Sequence, residues 1–197
     1  MTYEFLPHGY ILAETVDMQG DRRLSLKIAA VQAGIAVVMV LAAVFFFPFS
    51  DFISFAHPNA SDVWRLLLLV PSIFAYMALH ELVHGLFMRI LSRKAPKFGF
   101  SGLYMYAESP VFFDRKSFAC VCTAPFVLFF LLFLVISLFV PNRLFWFFHI
   151  LQIINAGSSA GDFYCVLQAK KHPETTLFRI NGYKTEIYRE AEIIKEQ

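Results

Sequence analysis

Apolar residues fall into four long blocks, Ile28–Phe49, Trp64–Ser92, Ser117–Val140 and Leu144–Ala169, with charge gathered between them. The first block carries no Asp, Glu, Lys or Arg. A helix rising about 1.5 Å per residue needs roughly 20 such residues to cross a hydrocarbon core. The pattern therefore predicts an all-α integral membrane fold with four transmembrane helices, over about 28–49, 64–92, 117–140 and 144–169. Pro71 and Pro125 interrupt the second and third, a defect that neighbouring helices can repair inside a membrane.

The connections read differently. Phe98–Tyr106 is aromatic and Gly-rich with partial period-two alternation, which predicts a short cytoplasmic β-hairpin or re-entrant loop. After the fourth block, Thr176–Ile180, Asn181-Gly182 and Tyr183–Tyr188 predict a small C-terminal hairpin with Asn-Gly as a type I′ turn. Arg189–Gln197 is expected to form a short helix, and His8 and His57 to be solvated. Residues 1–27 are then an arm, 28–169 a membrane domain and 170–197 a tail.

Composition agrees with a membrane protein: 58% of the 197 residues are apolar and 16% charged, against about 25% charged in soluble domains. The net charge of +2 gives no reason to expect a nucleic-acid partner. Cys120, Cys122 and Cys165 are odd in number and lie in apolar segments, so buried thiols are expected rather than a disulfide framework. Residues 1–27 contain no apolar run of the kind a cleaved signal peptide needs. Lys and Arg crowd before the first block, between the second and third, and after the fourth, while the other two connections hold little. By the positive-inside rule both termini and the central loop are expected to be cytoplasmic.

Within the second block stands His80-Glu81-Leu82-Val83-His84. Helical positions i and i+4 share a face, so the two imidazoles can converge on one metal ion. Glu81 has the reach to deprotonate a water that the ion activates. A chain of this length shows the pattern by chance roughly once in a hundred or less. Ionisable groups at membrane depth are costly and usually functional.

Two imidazoles do not complete a hydrolytic zinc site, which typically has three protein ligands and an open position. The candidates for the third are Glu108, Asp114, His149, Asp162 and Cys165. His84 stands nine residues before Arg93 and Asp162 eight before Lys170, so both lie at similar depth on helices running the same way. Asp162 also has small neighbours, Gly157 to Gly161, that allow close helix approach, and is the best placed. Asn155, seven residues earlier, shares nearly the same face and is a candidate to position substrate or to donate to an oxyanion. Ordinary interhelical hydrogen bonding is the competing reading for Asn155.

His80–Gly85, the Lys97–Tyr106 loop and the stretch Asn155–Asp162 together resemble the DUF3267 family of bacterial membrane proteins, described as zincin peptidases and similar to site-2-protease metalloproteases. The resemblance implies Zn2+ held by His80, His84 and Asp162, with Glu81 as catalytic base. It implies a multi-pass protein of the bacterial plasma membrane that cuts a membrane protein or peptide in or near the bilayer. The alternative is a non-catalytic metal-binding membrane protein that acts as a structural or partner-binding module.

Overall fold

The computed structural model describes residues 1–54, 59–101 and 104–191. His57 and the end of the expected terminal helix, 192–197, lie outside the described residues. In chain order the elements are β1 (Thr2–Tyr3), β2 (Tyr10–Asp17), α1 (Arg22–Val44), a 3-10 turn (Phe49–Asp51), α2 (Ala60–Ser92), β3 (Lys97–Ser101), β4 (Tyr104–Glu108), β5 (Phe112–Asp114), α3 (Arg115–Phe139), α4 (Asn142–Ser158), α5 (Ala160–Ala169), β6 (Leu177–Asn181) and β7 (Lys184–Glu190).

The all-α expectation is overturned. The fold is mixed α/β, with seven strands among the described residues. Five form an antiparallel sheet in the order β1-β5-β6-β7-β2, and β3 pairs with β4 as the expected hairpin. The arm at 1–27 and the central loop thus contribute strands to a sheet of which only β6 and β7 were foreseen. Arg189 and Glu190 continue β7 instead of opening a helix.

Among the described residues three helices, not four, are long and apolar enough to cross a membrane: α1, α2 and α3. The fourth expected span is divided at Ser159 into α4 and α5. Its cause is local. The Ser159 hydroxyl donates to the Asn155 carbonyl at 2.8 Å and its backbone N–H does so at 3.2 Å. Ser158 Oγ donates to the same carbonyl at 3.3 Å. Hydroxyls competing for a helical carbonyl bend or end a helix.

The chain divides into two compact units. One comprises Met1–Lys27, His80–Pro125 and Gly161–Gln197. It holds both sheets, and its core gathers Phe113, Phe118, Phe178 and Ile187, each almost wholly buried. Phe118 of α3 stacks on Phe178 of β6 with ring centroids 4.8 Å apart. Asn181 pairs with Lys184 across the turn, so Gly182 and Tyr183 are its central residues. Only Gly182 has positive φ, at 63°, which is the pattern of a II′ turn and not the I′ turn expected from Asn-Gly.

The other unit comprises Ile28–Leu79 and Phe126–Ala160 and is helical apart from the Phe49–Asp51 turn and its connections. Asn155, fully buried, joins three helices here: its Oδ1 accepts from Tyr76 Oη at 2.9 Å, and its Nδ2 donates to the Phe126 carbonyl at 3.2 Å. His149 contacts the Met39 carbonyl through Nε2 at 3.2 Å, and Trp146 Nε1 donates to the Phe47 carbonyl at 3.1 Å. Large apolar side chains such as Val38, Leu67, Val70, Phe74 and Leu138 are more than half exposed. A soluble monomer rarely shows so much contiguous apolar surface, whereas a lipid-facing one does.

Candidate metal centre

Helix α2 sorts its side chains by face over one stretch. His80, His84 and Met88 are buried, at i, i+4 and i+8, while Leu79, Leu82, Leu86 and Ile90 are exposed. The two imidazoles therefore point into protein and the leucines away from it, as the 3.6-residue period requires. Their ring centroids are 4.9 Å apart and the rings lie at 75° to one another.

Asp162, in the first turn of α5, meets both. His80 Nε2 lies 3.4 Å from Asp162 Oδ2, and His84 Nε2 lies 3.5 Å from Oδ1. One ligand atom from each of the three residues falls within 4.8 Å of the others. Among the described residues this is the His/Cys/Asp/Glu group that could share a metal ion. Ligands about 2.0–2.2 Å from a tetrahedral zinc are spaced about 3.4 Å from one another. Each separation from Asp162, taken to a different carboxylate oxygen, is close to that edge length, and two neutral imidazoles with one carboxylate are a donor set that zinc accepts.

His84 has a second partner. Its Nδ1 lies 2.9 Å from the backbone carbonyl of Val121 on α3. A carbonyl only accepts, so Nδ1 carries a proton, and in the neutral ring the lone pair is on Nε2, the atom that faces Asp162. Glu81, half-buried, is held by the β3–β4 hairpin: the Ala107 N–H donates to its Oε2 at 3.1 Å. The hairpin reaches α2 because position 85 has no side chain. A Cβ on Gly85 would lie 2.3 Å from Phe98 Cζ.

The remaining ligand candidates are engaged elsewhere. Asp114 caps α3 through its Oδ1, which accepts the Ser117 N–H at 2.9 Å. Burial raises the pKa of that carboxyl, but hydrogen bonds from the Ser117 side chain and backbone and the nearby N-terminal amine outweigh it, and the net direction is down. Glu108 lies 3.9 Å from Lys97 Nζ. Cys165 Sγ sits 3.5 Å from Thr185 Oγ1 and 4.0 Å from Met18 Sδ, so it packs toward β7 and the residue that follows β2. Cys122 and Cys165 are buried as expected, and Cys120 is exposed. Asn155 and His149 belong to the other unit, with the partners given above.

Two participants escaped sequence reasoning, the Val121 carbonyl and the Ala107 N–H, because both are backbone groups. A signal existed for the first. Pro125 follows Val121 by four residues and cannot supply the N–H that a helical carbonyl normally receives.

Residues 73–177 match the model of the DUF3267 family, described as "Putative zincin peptidase". No curated protein and no solved structure matches the chain.

Proposed function

The chain belongs to the DUF3267 family, and from that membership we propose that it is a zinc-dependent, membrane-embedded peptidase of the site-2-protease type, hydrolysing a peptide bond in or near the bilayer. The observation that carries the proposal is the convergence of His80 and His84 of α2 with Asp162 of α5, with Glu81 beside them. On this reading His80 and His84 contribute neutral imidazoles and Asp162 a carboxylate to the ion. Zinc, when bound, lowers the pKa of its water toward about 7 and polarises a carbonyl. Glu81 accepts the proton of the attacking water and delivers it to the leaving amine. The Ala107 N–H keeps the Glu81 carboxylate oriented until substrate enters. Asn155 is included as a residue that positions substrate, on the strength of its place seven residues before Asp162.

The substrate on this reading is a membrane protein or peptide presented in extended form, because a helix hides its scissile bond. A strand added beside the β3–β4 hairpin would take that form. The arm, the central loop and the tail share one sheet. Their Lys and Arg content favours the cytoplasmic face of a bacterial plasma membrane for all three.

The competing reading is a non-catalytic metal site that organises helices or binds a partner. Glu81 separates the two, since a structural site has no use for a base. Zinc content and cleavage of a membrane peptide should be measured for wild type, Glu81→Gln, His84→Ala and Asp162→Ala. Glu81→Gln is expected to keep zinc and lose activity by at least a hundredfold, while the ligand variants lose both. Full biological function in Glu81→Gln would decide for the competing reading.

A further inference from the structure

The Val121 carbonyl that faces His84 Nδ1 comes from inside a helix, α3. In a helix that carbonyl is committed to the N–H four residues on, here position 125. Position 125 is proline, inside α3 and fully buried. Proline has no N–H, and its ring crowds the carbonyl at i−4. The carbonyl of Val121 is therefore released from the helical ladder at the point where α3 faces His84, and the His84 Nδ1 lies 2.9 Å from it. A carbonyl left buried without a donor is destabilising, so the contact answers a need of α3 as well as of His84.

The same contact sets the ring. With Nδ1 protonated, the lone pair of His84 is on Nε2, the atom 3.5 Å from Asp162. Outer-shell acceptors of this kind fix the tautomer and orientation of a ligating imidazole. We propose that Pro125 is a positioning residue of the metal centre, which withholds a backbone N–H from Val121 so that the freed carbonyl orients His84 for metal binding. This rests on the reading of His84 as a ligand.

The test is Pro125→Ala, which returns an N–H to position 125 and lets the helix reclaim the carbonyl. Alanine is a strong helix former, so α3 is expected to persist. Zinc affinity of the purified full chain in detergent, measured by chelator competition, is expected to fall about ten- to a hundredfold. Pro71→Ala is the comparison: it repairs a proline in α2, the helix that carries His84, and is expected to leave zinc affinity unchanged. Nitrogen-15 spectra of the metal-free protein, recorded at a pH high enough that His84 is neutral and with His84 assigned by its loss in His84→Gln, should show Nδ1–H in wild type and a shift toward Nε2–H in Pro125→Ala. A neutral His84 protonated on Nε2 alone in wild type overturns the proposal whether or not any variant folds. So does unchanged zinc affinity and tautomer in Pro125→Ala, or an equal loss in Pro71→Ala. Absence of zinc binding by wild type would instead defeat the ligand reading, and the tautomer measurement would still decide the Val121 contact.

Discussion

Asn155 shows how one side chain can carry two readings. Its amide bonds Tyr76 of α2 and Phe126 of α3 from α4, so its removal deletes two interhelical hydrogen bonds at a fully buried place. Polar bonds between membrane helices are worth about 0.6–2 kcal/mol each. Asn155→Ala is therefore expected to lower the unfolding midpoint in detergent while zinc content stays at the wild-type level. If the amide also positions substrate, KM for a membrane peptide rises more than tenfold at a temperature where the variant is folded. Unchanged KM would leave the residue with its interhelical role alone. The three candidate ligands at this scale were open to sequence reading, because His80, His84 and Asp162 are rare residue types in apolar surroundings and their depth could be counted. The orienting Val121 carbonyl was not, since every residue has one and only its geometry distinguishes it.

Elements place those residues, and the approach of α2 to the β3–β4 hairpin is the most constrained. Gly85 follows His84 directly, and Phe98 of β3 occupies the space its Cβ would need. Across the same hairpin, Tyr106 lies over Gly99, where a Cβ would fall 2.3 Å from the phenol. Gly85→Leu should force Phe98 and Pro96 away and draw β4 with them, breaking the Ala107 N–H contact to Glu81. The expected outcome is zinc content within twofold of wild type and peptide cleavage reduced at least tenfold. Equal loss of zinc and activity would mean that the hairpin supports the ligands themselves. The hairpin was legible in its aromatic and glycine pattern. The strand β2 was not, because Ile11 and Leu12 are about half exposed and the alternation that marks a strand is blurred. Its partner, β7, lies more than 160 residues away. The division of the last helix at Ser159 was equally hidden. Small polar residues at 157–159 read as close-packing surface, and only the shared Asn155 carbonyl shows them ending a helix.

At the scale of the whole molecule, one unit holds the three candidate ligands, the Val121 carbonyl, the hairpin and the five-stranded sheet. The other supplies an apolar helical surface whose exposed side chains suit lipid. Charge counting assigned the arm, the central loop and the tail to a common side without knowing that they touch. The sheet gives an independent reason. β1 pairs with β5, β5 with β6, β6 with β7 and β7 with β2, so the three segments are joined by backbone hydrogen bonds and cannot lie on opposite faces of a bilayer. Single cysteines at Glu14, Lys97 and Glu174, all with exposed side chains, test this in a chain whose native cysteines are replaced. All three should react with a membrane-impermeant maleimide in inside-out vesicles and stay unreactive in intact cells. Labelling of any one from the opposite face would break the sheet as the organising element. Labelling of all three from outside would keep the sheet and reverse the orientation, because the hydrogen bonds fix that the segments are together and only the Lys and Arg distribution argues for which side.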